Sequence, residues 1–349
     1  MKFQKDEVMQ VVKKIKYPGF SRDIVSFGLV KDISFDDNVL KIMMTFSTED
    51  PEKRTAIMAD IRKELAGYHF KDIIFDLSER KAAEQQAGST IVKQEIPGVK
   101  FIIATASGKG GVGKSTVAVN LASALASLNY KTGLLDADIY GPSIPLMLNI
   151  NEAPKAIENK LIPVEKYGLK IISIGFFLKS QDDALIWRGP MVMRAVEQLL
   201  FDVQWGELDF LVVDLPPGTG DAQLTLAQRV PISGAIIVTT PQDVALIDAR
   251  KAVNMFKSIG TPILGIIENM SYFICPHCTT RTDIFSHGGG KKTSLQMQVP
   301  YLGELPIIPS LREKADEGIP SSQLKESTRP EKIFFEELAK KIAGIFIKK

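Results

Sequence analysis

Apolar and polar positions along this chain follow two different periods, and the change between them marks how it is organised. Val8, Val11, Val12 and Ile15 recur at helical spacing and predict one amphipathic helix. Strand-like runs follow at Phe27–Phe35 and Val39–Phe46, divided by the turn residues Asp36, Asp37 and Asn38. A second helix is predicted to open near Pro51, where Glu49, Asp50 and Glu52 set negative charge against the positive end of its dipole. Its apolar positions Ile57, Ile61 and Leu65 recur every four residues, and a last strand covers Ile73–Leu77. The order α-β-β-α-β predicts a small α+β domain over residues 1–78.

Residues 79–98 read as a linker. Glu84–Thr90 has almost nothing to bury, and Pro97-Gly98 closes the stretch. From Lys100 the period changes. Short apolar runs at Phe101–Ala106, Thr132–Leu135, Lys170–Ile174, Phe210–Val213, Ala235–Thr239 and Ile263–Ile267 alternate with helical segments. Nearly continuous apolar strands imply burial on both faces. Residues 99–349 are therefore expected to form a doubly wound, mainly parallel α/β domain. The chain ends in an amphipathic helix after Pro330, with Phe334, Leu338, Ile342, Ile345 and Phe346 as its apolar stripe and Lys340, Lys341, Lys348 and Lys349 beside it. Packing on the sheet is the expected use of that stripe.

Composition changes little in this picture. The chain has 349 residues, 45% of them hydrophobic, enough for a sizeable core. The net charge of +2 gives no bulk electrostatic reason to expect nucleic acid or membrane as a partner. No apolar run is long enough to span a bilayer, and the first residues lack the apolar stretch of a signal peptide. A cytoplasmic protein is the expectation. Only two cysteines exist, Cys275 and Cys278 in one C-x-x-C, which excludes a disulfide framework.

The candidate chemistry begins at Gly108-Lys-Gly-Gly-Val-Gly-Lys-Ser115, which fits G-x-x-x-x-G-K-[ST] between a predicted strand and a helix starting near Thr116. Its glycines let backbone N–H groups curl around an anion, and the helix N-terminus adds its dipole. Gly108, Lys109, Gly110, Gly111, Val112, Gly113, Lys114, Ser115 and Thr116 are the expected nucleotide-binding residues. Lys114 reaches the β- and γ-phosphates and the Ser115 hydroxyl binds Mg²⁺ in such loops. Phe210–Asp214 is a buried run ending in a carboxylate, the Walker B arrangement, so Asp214 is expected to hold Mg²⁺ through water. Pro216-Pro-Gly-Thr-Gly220 follows as a rigid turn whose Gly218 N–H could meet the γ-phosphate. Leu134–Asp138 ends a strand with two more carboxylates, Asp136 and Asp138. A lone aspartate at a strand end often serves only as a cap, but three together lie where α/β sheets bind ligands.

A plain phosphate loop has no need of Lys109. With it, the segment resembles the deviant Walker A of the MinD/ParA/nitrogenase-iron-protein class. The resemblance implies a nucleotide-sandwich homodimer in which Lys109 reaches the partner's nucleotide. It implies that Asp138 orients the attacking water, that Asp136 lies beside the metal, and that Asn269 faces adenine. Leu305–Pro309 resembles the class's second adenine-flanking loop.

The cysteine pair puts two thiolates within reach of one metal or cluster. Three arrangements are open on the residues alone. A zinc site would need more ligands, from His277 or His287; a redox pair would need a helix start, whereas Thr279–Asp283 reads as a loop; and two chains could each give two thiolates to one shared cluster. His277 otherwise reads as a spacer, His287 as lining a loop and His69 as structural.

Glu268-Asn-Met-Ser-Tyr-Phe-Ile-Cys-Pro-His-Cys278, Asp214-Leu-Pro-Pro-Gly-Thr-Gly-Asp221 and Trp187-Arg-Gly-Pro190 together resemble the Mrp (ApbC-like) iron–sulfur cluster carriers, over residues 98 to 325. That likeness implies an ATP-binding homodimer carrying a [4Fe–4S] cluster on Cys275 and Cys278 of both chains. It implies transfer to apo iron–sulfur proteins and loading from an assembly scaffold. Thr279 stands where many members have glycine. Residues 1–78 resemble a small domain found in iron–sulfur assembly factors, through Phe20–Ile33. It lacks the usual early Asp-Pro, with Tyr17-Pro-Gly19 in that place, and the usual cysteine near Ser47–Asp50. Two other functions predict different behaviour. A MinD/ParA-like positioning ATPase needs no cysteines but a functional terminal helix; a carboxylating synthetase of the same fold needs a small-molecule substrate and no cluster.

Overall fold

The computed structural model describes residues 5–16, 23–25, 29–36, 39–44, 51–68, 70–77, 93–158, 160–177 and 189–347. Tyr17-Pro-Gly19, Ser47–Asp50, His69, Glu84–Thr90 and Trp187-Arg188 lie outside the described residues, as does part of Phe20–Ile33. The chain divides into two compact units, Met1–Thr90 and Ile91–Lys349.

In the first unit, α1 (Lys5–Val12), β1 (Val30–Asp36), β2 (Val39–Met44), α2 (Pro51–Glu64) and β3 (Asp72–Leu77) follow in chain order. β2 lies between β1, antiparallel, and β3, parallel. Leu40, Ile42 and Met44 alternate inward along β2 and meet Val8 and Val12 of α1 and Ile57 and Ile61 of α2. The period-2 strand and period-4 helix therefore point into one core.

The second unit contains β4 (Val99–Ala106), α3 (Lys114–Ser127), β5 (Thr132–Asp136), α4 (Ile144–Met147) and the hairpin β6 (Lys155–Ile157) with β7 (Lys160–Ile162). Then come β8 (Val164–Lys166), β9 (Leu169–Ser173), α5 (Gly189–Phe201), β10 (Leu208–Asp214), α6 (Asp221–Arg229), β11 (Gly234–Thr239) and α7 (Asp243–Ser258). β12 (Ile263–Ile274), β13 (Arg281–Thr282), α8 (Gly289–Met297), β14 (Tyr301–Ile307), α9 (Pro309–Asp316) and α10 (Pro330–Phe346) complete it. Among the described residues its main sheet has nine strands. The path runs β13-β12-β11-β4-β10-β5-β9-β8, and β14 pairs with β12. All the central pairings are parallel, as the apolar runs predicted. Two core clusters lie around this sheet, one gathering α5, α6 and α7 and the other α3 and α10.

The edges depart from expectation. β8 and β13 are short antiparallel strands, too brief to show a period. Thr279–Asp283, expected as a loop, contains β13 and returns against β12 as a hairpin. Leu305–Ile307, expected as part of a loop, ends β14, and Pro309 already opens α9. β12 does not stop at Ile267 but runs through Glu268, Asn269 and Ser271 to Ile274. Those three polar residues are buried yet hydrogen-bonded, so polarity there marks satisfied groups and not a strand end.

The terminal helix packs as expected. Phe335, Leu338, Ala339, Ile342 and Ala343 are buried in the core shared with α3, and Phe346 packs in a tilted arrangement against Phe101 with ring centroids 4.9 Å apart. Ile345, by contrast, is exposed. No described helix is long and apolar enough to cross a membrane.

Candidate functional site

β4 is flanked by β10 and β11, so the loop after it opens where the strand order branches to both sides of the sheet. Gly113 lies in the left-handed region at φ 86°, and α3 starts at the next residue with no side chain capping its N-terminus. The free N–H groups of that first turn are the donors an anion uses. Gly113 has a second reason to be glycine: a Cβ there would sit 2.1 Å from the Asn269 amide nitrogen. At Gly108 a Cβ would strike the Asp248 backbone of α7 at 2.1 Å. The loop is thus held from two sides. The Asn269 side chain donates one Nδ2 hydrogen to the Val112 carbonyl at 2.9 Å, which fixes the amide against the loop and leaves its second N–H and its Oδ1 for a base. Lys109 is exposed and forms no ion pair among the described residues.

Parallel register brings the carboxylates together. Asp214 on β10 stands opposite Asp136 on β5 and Thr105 on β4. The buried Lys114 ammonium lies 2.7 Å from Asp214 Oδ1, 3.3 Å from Asp138 Oδ2 and 3.5 Å from the Ser115 hydroxyl. Thr105 Oγ1 donates to Asp214 Oδ1 at 3.3 Å, while Asp214 Oδ2 is buried with no hydrogen-bond partner. Asp136 is fully enclosed and accepts from the Asp138 and Ile144 N–H groups and from the Ser173 hydroxyl. Neither Ser173 nor Thr105 stood out in the sequence, because each is one small hydroxyl in a run that reads as strand.

One cation serves three carboxylates here. Burial opposes the charge on Lys114, but Asp214 and Asp138 outweigh it and hold the ammonium above its ordinary pKa. Burial, then the Asp214 carboxylate, pushes Asp136 up to about 7. Burial also raises Asp214, against the pull of Lys114. The cluster lacks positive charge and has an orphaned carboxylate oxygen beside a serine hydroxyl and an uncapped helix. An oxygen-ligated divalent cation fits that deficit, and the free N–H groups of the helix fit the phosphates it would accompany. Gly218 is less free than expected: its N–H already donates to the Ser107 carbonyl at 2.9 Å and would have to leave it to meet a phosphate.

The cysteines sit at the tip of the β12–β13 hairpin, Cys278 exposed and Cys275 partly so. The turn is closed by Thr279 N–H to the Cys275 carbonyl and by Cys275 N–H to the Thr280 carbonyl. Hydrogen bonds from the Thr280 hydroxyl and N–H, then from Cys275, lower the Cys278 pKa and favour thiolate. Neither cysteine belongs to a described group of three or more His, Cys, Asp or Glu donors within 4.8 Å of one another. His277 is exposed, and His287 is engaged with Glu304 at 2.9 Å, so neither completes a zinc site with the thiols.

The family model described as NUBPL iron-transfer P-loop NTPase, of the ParA group, matches residues 98–343. An iron-sulfur cluster carrier protein of Aquifex aeolicus is 56% identical over 230 residues, 65% of this chain but only 63% of that protein. One from Synechocystis is 42% identical over 348 residues, 97% of each chain. Among solved structures, a nucleotide-binding protein from Archaeoglobus fulgidus in complex with ADP is 38% identical with a TM-score of 0.58, covering 67% of this chain and 91% of that one.

Proposed function

This chain belongs to the NUBPL iron-transfer P-loop NTPase family, and from that premise we propose that it is an ATP-hydrolysing carrier of iron–sulfur clusters. One observation carries the reading. β12 holds the back of the phosphate loop through Asn269 and leads, six residues on, to a C-x-x-C pair with no third ligand near it among the described residues. A nucleotide site and an incomplete ligand set share one strand.

In this reading Lys114 exchanges its carboxylate partners for β- and γ-phosphate oxygens. Gly108 to Thr116 wrap the phosphates, with Gly218 giving its N–H to the γ-phosphate and Asn269 Oδ1 facing adenine. Ser115 and Asp214, with Asp136 beside them, would hold Mg²⁺, which neutralises charge on the transferring phosphoryl group. Asp138, released from Lys114, orients a water on the γ-phosphorus. The new P–O bond forms as the bond to the β-phosphate oxygen breaks, giving ADP and inorganic phosphate. Lys109, exposed and without an ion pair among the described residues, reaches the nucleotide of a second copy, so hydrolysis waits on dimer closure. Two copies bring four thiolates from Cys275 and Cys278, the number that one [4Fe–4S] cluster needs. The cargo is received from an assembly scaffold and passed to apo-proteins. Hydrolysis changes the dimer geometry and so the grip on the cluster.

Anaerobic reconstitution with iron and sulfide tests this. The expected result is iron–sulfur absorbance with about four irons per dimer, lost in Cys278→Ala. Wild-type protein that takes up no cluster, or Cys278→Ala that keeps it, would sink the carrier reading. Lys114→Ala should lower ATP turnover by roughly 100-fold or more; undiminished turnover removes Lys114 from the mechanism.

A further inference from the structure

A second group of ligating side chains lies beside the cysteine hairpin and plays no part in the function proposed above. Glu268 on β12 and Glu304 on β14 face each other in parallel register. His287, in the turn before α8, places its Nε2 2.9 Å from Glu304 Oε2. One donor atom from each of the three lies within 4.8 Å of the others. We propose that Glu268, His287 and Glu304 form a binding site for a single divalent transition-metal ion, separate from the cysteine pair.

Charge is the first argument. Two carboxylates on neighbouring strands repel. Among the described residues no lysine or arginine forms an ion pair with either, and His287 is the sole titratable partner, of Glu304. Glu268 is fully buried, so its charge cannot be screened by water. Its oxygens accept from the Ser271 hydroxyl and from the N–H groups of Gly288 and Gly290 at the start of α8. Those bonds orient the carboxylate, as outer partners orient a metal ligand. They account for Glu268 as an anchor of α8, but not for Glu304 and His287 meeting it there.

The second argument is the Tyr301 hydroxyl, which is buried with no hydrogen-bond partner. Tyr301 stands on β14 three residues before Glu304, and water carried by a bound ion would give that oxygen a partner. Access is open, since the His287 and Glu304 side chains are each about one-third exposed. Two carboxylate oxygens with one imidazole nitrogen suit Mn²⁺, Fe²⁺, Co²⁺ or Zn²⁺ better than the all-oxygen ions Mg²⁺ and Ca²⁺.

The test uses the full-length, tag-free chain with Cys275→Ser and Cys278→Ser, so that thiolate binding cannot contribute. Co²⁺ is titrated without nucleotide and with excess Mg²⁺ to fill carboxylate-only sites, by calorimetry and visible absorbance. One Co²⁺ per chain is expected, without thiolate charge-transfer bands. His287→Ala and Glu304→Gln added to that background should each weaken binding by at least about tenfold, and His277→Ala should leave it unchanged. Unchanged ADP affinity in the same variants shows that they are folded; His287→Gln replaces any variant that fails this check. No saturable Co²⁺, or binding indifferent to His287 and Glu304, overturns the site and leaves His287–Glu304 as an ion pair alone. The outcome is independent of whether the wild type takes up a cluster.

Discussion

At the scale of single residues, the phosphate site of the free protein is an electrostatic compromise. Lys114 is shared among carboxylates that the sheet forces together, and Asp136 answers the shortage of positive charge by holding its proton. Its ordinary value is 3.8 and burial with Asp214 raises it to about 7. Between those limits the folded state binds more protons than the unfolded chain, so this group's contribution to stability falls as pH rises and is fully lost above the upper value. Urea unfolding of the nucleotide-free protein across that window should therefore show a flatter stability–pH slope in Asp136→Ala than in wild type. Equal slopes would refute the assignment. A different residue-scale strain lies at Thr279, whose φ of 55° is left-handed. This explains structurally why a glycine suits that place. Holding that conformation costs a non-glycine residue about 1–2 kcal/mol, so Thr279→Gly should raise the exchange protection of the Cys275 and Thr279 amides by roughly fivefold. Slower protection gain than this, or faster exchange, would mean that the Thr279 hydroxyl bond to the Cys278 carbonyl matters more.

At the scale of elements, β12 decides most. Its first half is an ordinary buried parallel strand. Its second half carries a register irregularity against β14 between Asn269 and Phe273, with Met270 at φ 54° inside it. That irregularity turns a core strand into a projecting hairpin, and Asn269 stands just before it. Asn269→Ala removes the bond to Val112 and leaves that carbonyl without its partner, a loss of about 1–3 kcal/mol. ADP affinity should drop by about tenfold while the hairpin stays folded. Calorimetric titration that finds the affinity unaltered would show that the loop stands without this brace. α10 shows the reverse relation of pattern to structure: its stripe was legible as amphipathic, and the face it buries lies against α3 and Phe101.

At the scale of the molecule, each unit has its own apolar core, Val8 to Ile73 in one and the two clusters around the main sheet in the other. Residues 91–349 alone should therefore fold and bind ADP within about twofold of the full chain. A truncated protein that is insoluble or fails to bind would show that the phosphate site needs the first unit.

The sequence by itself determined the two units, the parallel sheet, the phosphate loop and the cysteine pair. These depend on local period and on short spacings, which a chain carries in consecutive residues. Only the tertiary structure decided what those residues face. Asp214, Asp136 and Thr105 meet because β4, β10 and β5 align in register, although more than a hundred positions separate some of them. Glu268, His287 and Glu304 converge from a strand, a turn and another strand. In a one-dimensional pattern Ser173 is one hydroxyl inside a strand run and Asn269 a polar residue that follows one. In the fold, buried beside Asp136 and Val112, they hold the site in shape, because a buried polar group is stable only where a partner from elsewhere in the chain satisfies it.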